Sequence, residues 1–391
     1  MKIDYSNSLI NLINSITAKF GLIPRHETLD VNILGKKFEQ AERVVLLLVD
    51  ALGYESALKI FEENEELNVF GRPHKLSTVF PSTTVAALTT VATAALPIEH
   101  GMLGYVLYLK EYGTLANMIE FTPLGMPRDS LVSRGANPST FLEIPTVYED
   151  LKNYGANPLV ITANSFKESG LSKTLNHNAA VQGYITKTDM MTRIRKAVES
   201  QKYSYIYAYW PMVDAMGHVY GPDSEEYIQE AKDTLLNFKR NVFERLSDAL
   251  REKTSFIIVA DHGQMKANWK NDWIISPYDE FAETLEMLPA GEPRMMYLYT
   301  KDFERTMKAG LDFFKGNVDF YPSKMAVEEG MFGDVNDLSL SKNALNRIGD
   351  LLAIPKGDHS FTIKYLGNER HLKGKHGGFS KAEMEIPLFS F

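Results

Sequence analysis

Four short runs of uninterrupted apolar residues set the first limit on the fold: "RVVLLLVD" at 43–50, "NPLVITAN" at 157–164, "YSYIYAYW" at 203–210 and "SFIIVADH" at 255–262. A strand with one face in water alternates apolar and polar side chains, so runs this continuous fit strands covered on both faces. Between them stand helix-like stretches: "VAALTTVATAAL" (85–96), "KTDMMTRIRKAVES" (187–200) and "SEEYIQEAKDTLLNFKRNVFERLSDALRE" (224–252). Strand and helix in alternation predict a three-layer α/β domain around a mainly parallel central sheet. From about 266 to 370 the texture changes, with "RMMYLYT" and "DLLAIP" as strands and "KDFERTMKAGLDFFKG" as a helix between them. The chain then returns to glycine-rich turns and a terminal strand, "EIPLFSF". The expected organisation is a core of residues 1–265 and 371–391 with a smaller α+β insertion over 266–370. The opening "MKIDYSNSLINLINSITAKF" reads as a short amphipathic helix.

Ligands of an open parallel sheet gather outside the carboxyl ends of its strands. Asp50 closes "VVLLLVD", Asp261 closes "FIIVAD", and Asp214 follows "YIYAYW" after a short connection. Each alone is an ordinary turn or cap residue. Together on neighbouring strands they would converge, and two unit charges about 4 Å apart repel by about 4 kcal/mol at an effective dielectric near 20. Such a cluster needs protons or cations. None of these motifs contains Lys or Arg, but His262 adjoins Asp261 and "DAMGH" places His218 four residues after Asp214. One helical turn or a loop bent at the intervening glycine would both let Asp214 and His218 face one site. The chain has no cysteine, so any metal takes oxygen and nitrogen ligands, and carboxylate with imidazole suits zinc, manganese or iron better than calcium or magnesium.

His376, in "GKHGGFS", is a further candidate, whereas His26, His74, His100, His177, His359 and His371 lack a comparable setting. A nucleophile is offered by "VFPSTTVAALTT" at 79–90, where Ser82, Thr83 and Thr84 precede a small-residue helix. Capping is what Ser and Thr ordinarily do there. The same helix end presents free N–H groups and a partial positive charge suited to phosphate, so a hydroxyl there can both cap and attack. The formal net charge of -8 gives no basic footprint for a nucleic-acid polymer. No run reaches the roughly 18 apolar residues of a membrane span, and no membrane partner is expected. The N-terminus lacks the apolar core of a signal peptide, so the expected location is the cytoplasm.

In order, "VDALGY", "FPSTTVAALTTVATAALPIEHG", "DAMGH", "ADHG" and "KHGG" resemble the alkaline phosphatase superfamily, specifically its nucleotide pyrophosphatase/phosphodiesterase branch. The likeness runs from about residue 43 to 378 and adds nothing through the insertion. It implies an alkaline-phosphatase-like fold and two divalent metal ions, usually zinc, with manganese or iron as alternatives. By position, Asp214, His218 and His376 would hold one metal, and Asp50, Asp261, His262 and the Thr84 hydroxyl the other. Thr84 is the fifth residue of "FPSTT" and matches the nucleophile of the family; Tyr209 stands where members place an aromatic that stacks on a nucleobase. Two positions depart. The Asn expected five residues after His100 is Tyr105, for which Asn117 in "LANMIEF" is the candidate replacement, and the aromatic expected after the nucleophile is Val85.

The resemblance implies a two-metal hydrolase that cleaves phosphodiester or nucleotide pyrophosphate bonds of a small molecule through a covalent phosphothreonine. A phosphomonoesterase or phosphomutase would use a similar centre, and a noncatalytic nucleotide-binding protein would keep the fold. The complete set of seven ligand groups favours catalysis. The nucleophile stretch, Val79 to Gly101, has no Lys or Arg to neutralise the extra charge of a monoester, which favours diesters unless the insertion supplies a cation such as Arg294 or Lys375.

Overall fold

The computed structural model describes residues 3, 5–333, 340–367, 369 and 371–391. All four apolar runs form strands of one seven-stranded sheet. Its order is His74–Ser77, Glu385–Ser390, Thr254–Val259, Arg43–Val49, Tyr205–Trp210, Pro158–Ala163 and Ala180–Tyr184. The last five of these run parallel, and the terminal strand Glu385–Ser390 pairs antiparallel with both Thr254–Val259 and His74–Ser77. Every residue of Arg43–Val49, Tyr205–Trp210 and Thr254–Val259 is buried, as their uninterrupted apolar character requires. Leu48 is paired with both Tyr209 and Val259, so these three strands end side by side at one edge of the sheet.

The helices depart from the sequence expectation in two places. The stretch 224–252 is not one helix: Glu225–Asn241 ends at Val242, and Asp248–Glu252 begins anew where the Ser247 side chain accepts the Leu250 N–H. Leu9–Lys19 is helical, but its polar face is not solvated. Asn11, Asn14, Ser15 and Thr17 are all buried, and the Asn14 amide donates to Ile10 O and Ala94 O while its carbonyl accepts the Arg25 N–H. The helix is therefore a core element tied to the end of helix Thr84–Thr93, and its polar residues serve internal hydrogen bonds.

A second seven-stranded sheet has the order Val318–Pro322, Leu351–Pro355, Met295–Leu298, Ala290–Glu292, Val106–Leu109, Thr114–Asn117 and Thr122–Pro123, with antiparallel pairing throughout. Segment 266–370 thus contributes four of its strands, and the chain between 106 and 123 completes it. Two small pairings matter for the site. Met265–Lys266 lies antiparallel to Gly374–Lys375, which brings the residue after Lys375 back to the strand end at Asp261. Asp272–Ile275 runs parallel to Ser360–Ile363, giving the same region a second anchor. Among the described residues, no helix is long and apolar enough to cross a membrane.

Candidate active site

Asp50 and Asp261 emerge just beyond adjacent parallel strands and are almost wholly buried. The turn after Asp50 puts Ala51 at φ 58°, a left-handed conformation that costs a residue with a Cβ. Three hydrogen bonds hold it there. Ala51 N–H donates to Asp261 Oδ1 at 2.9 Å, the Tyr227 hydroxyl donates to Ala51 O at 2.7 Å, and Gly53 N–H donates to that hydroxyl at 3.2 Å. The second oxygen of each carboxylate is different: neither Asp50 Oδ1 nor Asp261 Oδ2 has a hydrogen-bond partner among the described residues. Both face His262 Nε2, at 3.5 and 3.7 Å.

Helix Met212–Tyr220 carries Asp214 and His218 one turn apart, which settles the helix against the bent loop. His218 Nε2 lies 3.2 Å from Asp214 Oδ2, and His376 Nε2 lies 3.7 Å from Asp214 Oδ1. The glycine of "DAMGH" is needed for contact: a Cβ on Gly217 would sit 1.9 Å from Gln264 Oε1. Gln264 in turn donates to both the carbonyl and the carboxylate of Asp214. The rings of His262 and His376 stack with centroids 3.9 Å apart, so the two acid groups form one continuous cluster.

The three histidines are oriented alike. Nδ1 of His218 contacts Gly374 O at 2.8 Å, that of His262 contacts Gly263 O at 2.9 Å, and that of His376 contacts Ser82 O at 3.1 Å. A carbonyl oxygen can only accept, so each Nδ1 carries the proton and each Nε2 is directed at the acids with its lone pair free in the neutral ring. Backbone anchoring of one ring nitrogen is how proteins fix imidazole ligands. Two orphaned carboxylate oxygens and three imidazole Nε2 atoms converging in the interior fit divalent cations. Asp50, Asp261 and His262 offer ligand atoms within 4.8 Å of one another, as do Asp214, His262 and His376.

The electrostatics agree. Burial, then the charges of Asp261 and Asp214, push the Asp50 carboxyl well above its ordinary value. Burial and the neighbouring His262 push His376 down. For His218 burial works against protonation, but Asp214 outweighs it and raises the ring to about 8.

Thr84 is the first residue of helix Thr84–Thr93, and its Oγ1 stands 3.1 Å from His262 Nε2. The flanking hydroxyls have other partners. Ser82 Oγ donates to Gly378 O at 2.8 Å and accepts the Gly377 N–H at 3.2 Å, clasping the nucleophile loop to the loop after His376. Thr83 occupies the cap position without a side-chain cap bond and is hydrogen-bonded to Glu292. A cavity of about 300 Å³ opens on Thr84, Asp50 and Asp214, with apolar and tyrosine walls that include Leu88, Ile119, Tyr148 and Tyr207.

Seven sequence-predicted groups therefore meet at one place: Asp50, Thr84, Asp214, His218, Asp261, His262 and His376. Tyr209 joins them, lining the cavity and donating its hydroxyl to Asp50 Oδ2. Tyr105 and Asn117 line a second cavity of about 500 Å³. The Asn117 amide donates to the Tyr105 hydroxyl at 2.7 Å and its carbonyl accepts the Glu120 N–H at 3.0 Å. Lys375 and Arg294 are spent. Lys375 Nζ pairs with Asp272 at 2.7 Å, and Arg294 lies 3.4 Å from Glu383 and donates to His359 O.

Three supporting residues escaped the sequence reading. Gln264 stands two positions beyond His262, and Tyr227 reaches in from helix Glu225–Asn241. Glu292, from the second sheet, accepts the Tyr105 N–H at 2.6 Å as well as bonding Thr83. Burial raises its carboxyl to about 8 against the pull of those bonds.

Comparisons with known proteins bear on the family and the fold. A sequence model of the type I phosphodiesterase / nucleotide pyrophosphatase family matches residues 44–379. No curated protein sequence matches the chain. Among solved structures, murine ectonucleotide pyrophosphatase / phosphodiesterase 5, an inactive variant in complex with AMP, superposes with a TM-score of 0.63 at 14% identity, covering 88% of this chain and 87% of that one. The human counterpart gives 0.64 at 14% identity, with 89% and 87% covered. Phosphonoacetate hydrolase from Sinorhizobium meliloti, in complex with phosphonoformate, gives 0.62 at 17% identity and 90% coverage of both chains. At such identities these likenesses establish the fold, an alkaline-phosphatase-like α/β architecture.

Proposed function

The chain belongs to the type I phosphodiesterase / nucleotide pyrophosphatase family, a family of phosphoester hydrolases, and from that premise we propose that it is a two-metal phosphodiesterase with Thr84 as nucleophile. One observation carries the reading. The Thr84 hydroxyl stands 3.1 Å from the His262 nitrogen toward which the orphaned oxygens of Asp50 and Asp261 also point. A hydroxyl at a buried site built for a cation is placed to lose its proton.

In this reading Asp50, Asp261, His262 and Thr84 hold one divalent cation, and Asp214, His218 and His376 hold the other; zinc, manganese or iron suits these donors. When bound, the pair supplies Lewis acidity that favours the Thr84 alkoxide and stabilises charge on the departing oxygen. The chain does the rest. Thr84 Oγ1 forms the new bond to phosphorus as the bond to the leaving alcohol breaks, and water then cleaves the phosphothreonine ester and restores the hydroxyl. The first-turn N–H groups of helix Thr84–Thr93 face the phosphoryl group with partial positive charge. Tyr209 fixes Asp50, Gln264 fixes Asp214, and backbone carbonyls fix the three imidazoles.

A diester is favoured over a monoester because the cations Lys375 and Arg294 are committed to Asp272 and Glu383; Arg128 also lines the cavity that opens on Thr84, so the comparison with a monoester decides whether it neutralises the extra charge. The test compares p-nitrophenyl phenylphosphonate with p-nitrophenyl phosphate, using wild type, Thr84→Ala and Thr83→Ala with metal content determined for each. The expected result is a higher kcat/KM on the diester analogue, near-complete loss in Thr84→Ala with metal largely retained, and a milder loss in Thr83→Ala. A monoester advantage of about tenfold, some 1.4 kcal/mol, would favour a phosphomonoesterase. Equal loss in both threonine variants would remove Thr84 from its role.

A further inference from the structure

The cavity that opens on Thr84 has one Lys or Arg among its lining residues, Arg128. The backbone around Arg128 is closely fixed. The hydroxyls of Thr122 and Ser130 both donate to Pro127 O, at 2.6 and 2.5 Å, and Asp129 N–H donates to Glu120 O at 2.9 Å. The Asp129 carboxylate accepts the Gly170 N–H at 2.7 Å, holding Asp129 at φ 65°, a conformation unfavourable for a residue with a Cβ.

The guanidinium at the end of this side chain is loosely engaged. It lies 4.0 Å from Glu120, and the two side chains are 41% and 45% exposed. An exposed ion pair of that length contributes little, so the planar donor fork keeps its capacity for another oxyanion. Arg347, Lys375 and Arg294 have closer or multiple partners. Arg347 donates to Gly101 O at 2.8 Å and to Glu111 at 2.9 Å, while Lys375 and Arg294 are held as described above.

We propose that Arg128 is a specificity-determining residue that binds a second anionic group, a phosphate or carboxylate, on the arm of the substrate that stays esterified to phosphorus. The assignment to that arm rests on the reading of Thr84 as nucleophile. In-line attack sends the leaving oxygen away from Thr84 toward the group of Asp214, His218 and His376, of which Asp214 lines the cavity and the two histidines do not. With two of those three groups outside the cavity, the retained arm is assigned to it, along Leu88, Ile119 and the tyrosines, with Arg128 to meet an anion the arm carries. The second cavity does not serve that purpose, since it presents Glu120, Glu292 and Glu369, and its lysine is Lys375.

The matched probes are thymidine 5′-(p-nitrophenyl phosphate) and its 3′-phosphorylated form, which differ only in an anion on the retained arm. Both are assayed with wild type and Arg128→Gln in metal-loaded enzyme. The wild type is expected to favour the 3′-phosphorylated diester in kcat/KM by about tenfold, the scale of one charge-assisted contact. In Arg128→Gln that ratio falls to near one, whatever the change in kcat/KM on the unphosphorylated diester. The ratio compares two substrates on one protein, so partial loss of folded enzyme does not affect it. Turnover of both diesters by the wild type without the preference, or a preference that survives in Arg128→Gln, would overturn this proposal alone. Hydrolysis of p-nitrophenyl phosphate but of neither diester would overturn the diesterase reading and this proposal with it.

Discussion

Replacing Asp261 by Asn should stabilise the chain when metal is withheld and destabilise it when metal is supplied. Ligand oxygens of Asp50 and Asp261 lie within 4.8 Å of one another, and both residues are buried. Two unit charges at that separation repel by about 3 kcal/mol at an effective dielectric near 20. Protonation relieves part of this already, because burial and the neighbouring carboxylates hold the Asp50 carboxyl well above its ordinary value. The expected gain in chelated protein is therefore smaller, about 1–2 kcal/mol. Asn keeps the oxygen that accepts the Ala51 and His262 N–H groups, so the turn is preserved. With metal the sign reverses. A site filled at a hundredfold excess over Kd contributes about 2.7 kcal/mol. At ~2.1 cal/mol/K per residue, the unfolding entropy of 391 residues is about 0.8 kcal/mol/K, so each filled site raises Tm by about 3 °C. The assay is thermal unfolding of wild type and Asp261→Asn in EDTA and in graded zinc or manganese. The account predicts that the variant melts higher in EDTA and shows roughly half the wild-type metal-induced shift. A variant that melts lower in EDTA and keeps the full shift would refute the argument that these carboxylates form a cation site.

Tyr209→Phe keeps the ring but removes the donor to Asp50 Oδ2, and loss of such a supporting bond typically weakens metal binding 10–100-fold; competition with a chromophoric chelator measures it, and unchanged affinity would deny the tyrosine a supporting role. Glu292→Gln probes the buried carboxyl raised to about 8. Since the folded state holds that proton more tightly than the unfolded chain, wild-type stability falls as pH rises from about 4.5 toward 8, by at most about 1.4 kcal/mol per unit from this group. The stability of metal-free Glu292→Gln relative to wild type should therefore increase across that window in denaturant titrations; a difference independent of pH would contradict the assignment.

The sequence was most legible where burial dictates composition. The apolar runs at 43–50, 203–210 and 255–262 became the three central strands because only strands covered on both faces tolerate such continuity. The acids at or just beyond their ends follow from the same register. The sequence could not distinguish a solvated polar helix face from one bonded inside the core, and Asn11, Asn14 and Ser15 belong to the second kind. Nor could it show that the strands between 106 and 123 would join those from beyond 266, a pairing between segments far apart in the chain. Gln264, Glu292 and Arg128 carried no local motif. Their placement depends on which loops approach, as when Met265–Lys266 pairs with Gly374–Lys375. Asn117 was named from its residue type alone, whereas the partners that orient it, the Tyr105 hydroxyl and the Glu120 N–H, come from the fold.

The central claim is that Thr84 becomes covalently attached to phosphorus, and trapping that adduct tests it most directly. Metal-loaded protein is mixed with thymidine 5′-(p-nitrophenyl phosphate), quenched in acid within the first turnover, and mapped by peptide mass spectrometry. The account predicts a thymidine phosphate ester on the peptide containing Thr84, absent from Thr84→Ala, and overall retention of configuration at phosphorus with a chiral phosphorothioate analogue. Inversion at phosphorus with no adduct on any residue would mean that water attacks directly, and the threonine mechanism would be wrong.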